Sequence, residues 1–405
     1  MADLNSVAPM LKEVWPESFE TAFSQEIVAL SRIEASSDGV RQDVSGRYTV
    51  IPLKVRRNQG LGSRPERGIL PLPGKQGYVG TRVQVQHQYA VGEITSQALL
   101  LADREPRSFI NTLDQELSGM RDDAMKDYAR MVYGFASGKL AEVTAVDGTT
   151  LTVDRIQYFE PEMRLDAVDE TGPDLEAEDV EVLSVNIEDH QIEVDDATGI
   201  TIGAILVRHG NYNQEITGFR HLIDDELAVQ NLDPSEEPKW ASHVRTGNAR
   251  PWSELEIVAA NDYVRRTSGK NISVMFTGFG VRRAVFADLK QQREYVNTIE
   301  FGHGFSALPF NLGAQTIPLV EDPDYPEDYG AETGSILGVD EDSVGIWREE
   351  SGWHFAEESG SMFIPAQDRS DAWEFRMRHF SQMGITQRNN HFRIDNIETV
   401  DNGSE

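Results

Sequence analysis

No cysteine occurs among the 405 residues, so disulfides, thiol nucleophiles and thiolate metal ligands are all excluded, which suits a reducing compartment. Positive charge is scarce as well. Lys and Arg number 37 against 68 Asp and Glu, a formal net charge of −31. So acidic a chain is a poor general binder of nucleic acid, whose affinity comes from neutralising phosphates; it repels DNA and stays soluble at high concentration. No apolar run approaches the roughly 20 residues that span a bilayer. The opening MADLNSVAPMLKEVWPE lacks the basic-then-apolar pattern of a secretory signal. The expectation is cytoplasmic synthesis and no membrane partner. Signatures of catalysis are missing too. There is no GxSxG, no HExxH and no GxGxxG after a strand, the nine histidines do not cluster at metal-ligand spacing, and GFG 278–280 and GHG 302–304 read as turns. Acidic pairs such as Asp195-Asp196 and Asp224-Asp225 arise by chance among 68 acids. No catalytic, cofactor or metal site is expected.

What is present begins with a long helix. In 106–134 apolar residues fall at Phe109, Leu113, Leu117, Met120, Ala124, Tyr128 and Met131, spaced by fours and threes, with Pro106 at the first turn and Gly134 as the stop. Asp114, Glu116, Arg121, Asp122, Lys126 and Arg130 take the other face. At 1.5 Å per residue the rod is roughly 40 Å long, and its stripe needs a sheet or other helices laid along it. A shorter amphipathic helix is expected over 18–34.

Before the long helix stand two strand patterns. Residues 44–55 (VSGRYTVIPLKV) carry Pro52, which belongs on a sheet edge, and 79–91 alternate almost without fault. Between them runs RRNQGLGSRPERGILPLPGKQGY, with Arg56, Arg57, Arg64, Arg67 and Lys75 against one acid, Glu66. The simplest structure is a two-stranded ribbon with a basic tip. Such ribbons are marginal alone, so this one is covered either by its own domain or by a different molecule. Its local reversal of sign suits an arm reaching onto an acidic neighbour. No Walker-type loop follows, which disfavours a phosphate site.

After the helix comes a degenerate repeat: EVTAVDGTTLTVD (142–154) returns as EVLSVNIEDHQIEVD (181–195), each followed by a comparable run at 159–168 and 200–210. Asp147-Gly148 and Glu188-Asp189 mark hairpin turns. Two related units predict a small barrel or sandwich with pseudo-twofold symmetry. Its many acids lack the D-x-[DN]-x-[DN]-G calcium loop and read as a solvated face. From about 215 the pattern becomes α/β. ITGFRHLID (216–224) reads as a strand and turn, and 231–250 as a loop. Ser253 with Glu256 reads as a capping box opening a helix over 254–266, NISVMF (271–276) as a buried strand, and 279–291 as a helix showing Val281, Val285, Phe286 and Leu289. Residues 320–332 form an acidic loop. WEFRMRHF (373–380) alternates as a strand able to lie along the long helix, and HFRIDNI (391–397) completes its sheet.

These parts, in this order, resemble the major capsid proteins of tailed phages (Caudoviricetes-type), whose Hong Kong 97-type fold is shared by encapsulins and herpesvirus shells. The resemblance covers nearly the whole chain. It rests on the ribbon at 46–93, the helix at 106–134, GFRHLID at 218–224, PWSELEIVAANDYVRRTSGKNISVMF at 251–276, FNLGAQTIPLVED at 310–322, SQMGITQRNNHFRIDNI at 381–397 and the strand before it. It implies an α+β fold divided into an N-terminal arm (1–45), an E-loop ribbon (46–96), a first part of the P-domain with the spine helix (97–138), a β-rich, barrel-like insertion domain (139–214), a P-domain strand and loop (215–253), an axial A-domain (254–345) and P-domain terminal strands (346–405). It implies a non-enzymatic structural subunit of the virion, assembled in the host cytoplasm. Pentamers and hexamers would tile an icosahedral phage head around double-stranded DNA bound without sequence specificity. The tip residues Arg56, Arg57, Arg64, Arg67 and Lys75 would make intersubunit contacts, and Phe109, Leu113, Leu117, Met120, Ala124 and Tyr128 the core face of the spine. No fused helical scaffold is present in the N-terminal segment, which implies a separate scaffolding protein; a portal and a decoration protein are further expected partners. Some relatives cross-link through an E-loop lysine and a neighbour's asparagine, for which Lys75 with Asn389 or Asn390 are the candidates. Two rival readings are an encapsulin-like nanocompartment carrying cargo peptides and an acidic, cation-binding adhesion protein.

Overall fold

The computed structural model describes residues 28–35, 40–41, 48–97, 106–169, 175–292, 299–301, 305–311, 315–326, 333–348, 352–356, 363–365 and 371–399. In chain order they form helix α1 (Val28–Ala35), strands β1 (Val40–Arg41), β2 (Tyr48–Arg56), β3 (Gly77–Gln84) and β4 (Gln86–Thr95), then the long helix α2 (Pro106–Tyr133). Six short strands follow: β5 (Ala141–Asp147), β6 (Thr150–Val153), β7 (Arg164–Val168), β8 (Leu175–Asn186), β9 (Gln191–Val194) and β10 (Ile205–Arg208). Next come α3 (Phe219–Leu222), β11 (His243–Arg245), α4 (Glu254–Ser268), β12 (Val274–Thr277) and α5 (Phe279–Gln292). The last stretch holds β13 (Ile299–Phe301), β14 (Phe305–Asn311), β15 (Thr316–Glu321), β16 (Thr333–Val339), β17 (Val344–Arg348), β18 (His354–Phe355), β19 (Phe363–Pro365), β20 (Ala372–Ile385) and β21 (Phe392–Glu398). Of the helix expected over 18–34, residues 18–27 lie outside the described residues, and α1 supplies the rest.

Two compact units share these elements, and both α2 and β20 run through each. The described part of the smaller unit comes from Tyr89–Lys126 and Trp353–Arg378. Here the alternation of 373–380 is realised: Phe375 and Met377 are buried, and β18 and β19 pair antiparallel with this half of β20. Phe363 stands edge-on to Phe375 at 6.1 Å.

The larger unit joins Ile27–Gln88, Asp127–Gly352 and His379–Glu405. Its main core gathers Leu30 and Ile33 of α1, Tyr128, Val132 and Tyr133 of α2, Phe219, Phe276, Leu337, Ile346 and Met383. In this half β20 pairs with β17. It meets the end of the long helix as its pattern requires: the Tyr128 hydroxyl hydrogen-bonds Ser381 at 2.9 Å and its ring meets His379 edge-on at 5.0 Å. A seven-stranded sheet, ordered β11-β21-β16-β12-β15-β14-β13, carries a second core with α4 and α5.

Residues 141–208 close into a barrel, β10-β5-β6-β9-β8-β7, with its own core that includes Val143, Leu151, Leu165, Val182, Ile192 and Leu206. Exchanging β5, β6 and β7 with β8, β9 and β10 maps this strand order onto itself, so the sequence repeat is a structural repeat. Equivalent details recur. The register slips between Val143 and Ala145 and again between Val182 and Ser184. Likewise the N–H of Glu142 donates to the Asp154 carboxylate and that of Glu181 to Asp195, at 2.6 and 2.9 Å.

Four expectations are corrected. GFRHLID forms no strand. Ile216, Phe219, Leu222 and Ile223 are all fully buried, a helical spacing, and 219–222 make a helical turn. Gly218 lies so close beneath the end of α2 that a Cβ there would sit 2.5 Å from the carbonyl oxygens of Met131 and Gly134. The capping box is also unformed: Ser253 makes no side-chain cap bond, the Glu256 N–H donates instead to the Ser253 backbone carbonyl at 3.1 Å, and the Glu256 carboxylate is held by Arg250 at 2.8 Å. HFRIDNI does not complete the sheet of β20. As β21 it pairs with β11 and β16, because Phe392, Ile394 and Ile397 belong to the core under α4. Finally, Val281 and Val285 are buried but Phe286 is exposed beneath Arg282, while the Leu289 side chain lies outside the described residues.

Candidate assembly surface

The ribbon forms in part as its alternation predicts: the strand expected over 79–91 breaks at Val85, and its second half, in β4, pairs with β20 rather than with β2. Strands β2 and β3 pair antiparallel as a two-stranded sheet, Tyr48 opposite Gln84 and Arg56 opposite Gly77. Pro52, which donates no hydrogen bond, stands exposed opposite Gly80. One face of this shaft carries Val55, Thr81 and Val83, all buried, and Leu53 and Val79, which pack against the main core. The Arg82 N–H donates to the Gln230 carbonyl at 3.1 Å, and Arg56 pairs with Glu237. Of the two covers open to the ribbon, its own body therefore takes the shaft. Arg56 belongs to that anchorage rather than to a free tip.

Beyond Arg56 the chain leaves the body. Gly60 and Gly74 meet at a neck where a Cβ on Gly60 would lie 2.7 Å from the Gly74 nitrogen, so neither position has room for a side chain. Past the neck, the Gly68 N–H donates to the Pro65 carbonyl at 2.8 Å, and Arg64 Nε closes the turn onto the Ile69 carbonyl at 2.8 Å. Arg57, Arg67 and Lys75 are exposed, with no ion pair to another described residue. The feature the charge pattern hid is apolar: Leu61, Ile69, Leu70 and Leu72 are 83, 90, 80 and 87% exposed. Single exposed aliphatics are ordinary, but four on one loop make an exposed apolar patch. The signal was GILPLP, an unperiodic aliphatic run among glycines and prolines.

The body that carries this arm is stiffened by buried polar groups. Arg388, wholly buried, donates from Nε to the Leu222 carbonyl and from Nη1 to that of Leu227, both at 2.8 Å. Burial lowers its pKa to about 10. Arg393 donates to the Arg220 and Ile223 carbonyls and pairs with Asp224 at 3.1 Å. The segments GFRHLID and QRNNHFRID thus clamp each other, and α3 has its last carbonyls satisfied. Within the expected acidic loop, Asp322 is buried: it accepts from the Ala29 N–H at the start of α1 (3.0 Å) and from the Tyr133 hydroxyl at the end of α2 (2.8 Å). A negative charge at a helix N-terminus is favourable.

One pair looks catalytic and is not. Ser343 Oγ and His391 Nε2 are 2.9 Å apart. However, His391 Nδ1 accepts from the Asp340 N–H at 3.2 Å, so the ring proton belongs on Nε2 and points at Ser343, whose own hydroxyl donates to the Asp340 carbonyl at 2.9 Å. A histidine that donates to the serine cannot take its proton, and neither residue is accessible. Burial lowers the imidazole pKa to about 4.

The remaining sequence candidates are placed as follows. On α2, Tyr128 is buried and Leu117, Met120 and Ala124 are half-buried; Phe109 and Leu113 lie on the helix, but their side chains fall outside the described residues. Asn390 is fully buried, its amide donating to Asp340 at 2.9 Å, which removes it as an exposed cross-linking partner; Asn389 is half-buried.

No family model and no curated protein matches the sequence. Solved structures do match the fold. The capsid asymmetric unit of cyanophage A-1(L) aligns over 96% of this chain and 98% of its own, with TM-score 0.57 and 12% identity. The SrpI encapsulin of Synechococcus elongatus PCC 7942 aligns over 100% and 99%, with TM-score 0.50 and 7% identity. The chain has the fold of the phage capsid proteins, the Hong Kong 97-type shell fold.

Proposed function

We propose that the chain is a capsid subunit that assembles into an icosahedral phage head, with β2, β3 and their tip serving as the E-loop. The observation that carries this reading is the arm itself: a shaft anchored on its own body and ending in four bare aliphatics among four cations. Burying those aliphatics against a neighbour contributes roughly 6–12 kcal/mol before association costs are subtracted. Repeated around rings, modest contacts of this kind hold a shell through multivalency. Heterologous contacts that close give the rings, here pentamers and hexamers. On this reading residues 141–208 are an insertion after the spine helix α2, and a net charge of −31 keeps packaged double-stranded DNA from adhering to the wall. Scaffolding, portal and decoration proteins are its expected partners.

The test is Arg64→Glu with Arg67→Glu. The variant should remain soluble and folded by circular dichroism yet form no shells in negative-stain micrographs; normal particles would refute the E-loop role. The encapsulin match supports a second reading, a protein compartment. Purified particles rich in double-stranded DNA favour the phage head, and particles filled with protein favour the compartment.

A further inference from the structure

Resting on the E-loop reading, we infer that the tip docks on the outer face of the barrel of a second copy of this chain. Two properties of the tip define its counterpart. It needs negative charge, because residues 57–76 carry Arg57, Arg64, Arg67 and Lys75 against Glu66 alone. It also needs exposed aliphatic surface for its four bare side chains.

The barrel supplies both. Residues 141–208 hold eighteen acids against Arg155, Arg164 and Arg208, a net −15 that is nearly half the charge of the chain in about a sixth of its length. Away from β2–β4, the exposed large aliphatics among the described residues are Leu175, Leu183, Ile187 and Ile202 in the barrel and only Leu227 and Leu255 elsewhere. The β8–β9 hairpin concentrates the match. Leu183 sits at the register slip of β8, opposite β9, and is 51% exposed; Ile187 at the turn is 58% exposed. Glu188 and Glu193 are exposed beside them. The twofold-equivalent slip in β5 holds Thr144 where β8 holds Leu183. The repeat is therefore broken at the position where an apolar contact is offered. No hydrogen bond or ion pair joins the tip to the barrel of its own chain among the described residues, so the complementary surfaces remain available between copies. Opposite charge speeds and orients such an encounter, and the aliphatics then hold it.

Because the chain has no cysteine, an engineered pair reports the contact cleanly. Leu70→Cys with Ile187→Cys, oxidised after assembly, should give a ladder of multimers on a non-reducing gel. The pair Leu70→Cys with Leu255→Cys, a more exposed site on α4, should give none. Shells that form without a ladder, or a bridged monomer, would overturn the barrel contact while leaving the capsid reading intact. A charge swap decides the matter if the cysteines hinder assembly. Glu188→Lys with Glu193→Lys should abolish shells, and combining it with Arg64→Glu and Arg67→Glu should restore them. Barrel reversal that leaves shells normal, or folded subunits that the swap fails to restore, would refute the inference. If the tip reversal itself left shells normal, the E-loop reading would fall as well.

Discussion

Acid should loosen the body of this protein through one histidine. His391 is fully buried and neutral, held by the Asp340 N–H on one nitrogen and by Ser343 on the other. Its pKa in the fold is lowered to about 4, against an ordinary 6.5, chiefly by burial. Between these values the unfolded chain binds a proton that the folded chain excludes. The contribution is therefore complete above about pH 6.5 and is lost as pH falls toward 4. A difference of about 2.5 units corresponds to about 3 kcal/mol, of which most should be gone at pH 4.5. The assay is urea unfolding at pH 7 and pH 4.5 in the assembly-deficient Arg64→Glu, Arg67→Glu background, where subunit concentration does not enter. His391→Gln keeps a donor toward Ser343 but leaves the Asp340 N–H unpaired, so it should lose about 1–3 kcal/mol at pH 7. In exchange, its stability should fall less on acidification than the parent's. His221 and His243 are also lowered by burial and titrate equally in both proteins, so the comparison isolates position 391. Equal acid losses in the two would refute the reasoning.

Other perturbations read the remaining elements. Arg388→Met strands the Leu222 and Leu227 carbonyls in the interior and should cost about 3 kcal/mol or more by urea midpoint; a neutral result would show that water replaces the clamp. Gly218→Ala drives a Cβ into two backbone carbonyls at the end of α2, where nothing flexible can yield, and the subunit should be recovered largely insoluble. Ala141 pairs with Leu206, so the chain enters and leaves the barrel side by side. Replacing residues 140–214 by a short Gly-Ser linker should leave a folded core by circular dichroism, and a wholly unfolded deletant would contradict a separable barrel. The Arg64→Glu, Arg67→Glu variant should lose shells while keeping the parent's urea midpoint within about 0.5 kcal/mol, as surface changes do.

Periodic elements were legible in the chain because a helix or strand writes its buried face into consecutive residues. The four-and-three stripe of 106–134, the alternation of 79–84 and 373–380, and the hairpin repeat of 142–195 all appear where local pattern places them, whereas the strand expected to run on to 91 breaks at Val85, where the chain leaves β2 to pair with β20. Charge scarcity and the basic reversal at 56–75 were likewise properties of composition alone. What composition cannot express is which distant surfaces meet. Ile216, Phe219 and Leu222 read as a strand until the end of α2 and the clamp of Arg388 and Arg393 bend them into a turn. Strand β21 takes its place in the second sheet because the core beneath α4 has room for Phe392 and Ile394. Arg56 is drawn to Glu237, 181 residues away, and Asn390 to Asp340. Such pairings depend on packing between segments far apart in sequence, and no local propensity encodes them. They leave the tip aliphatics uncovered by the body.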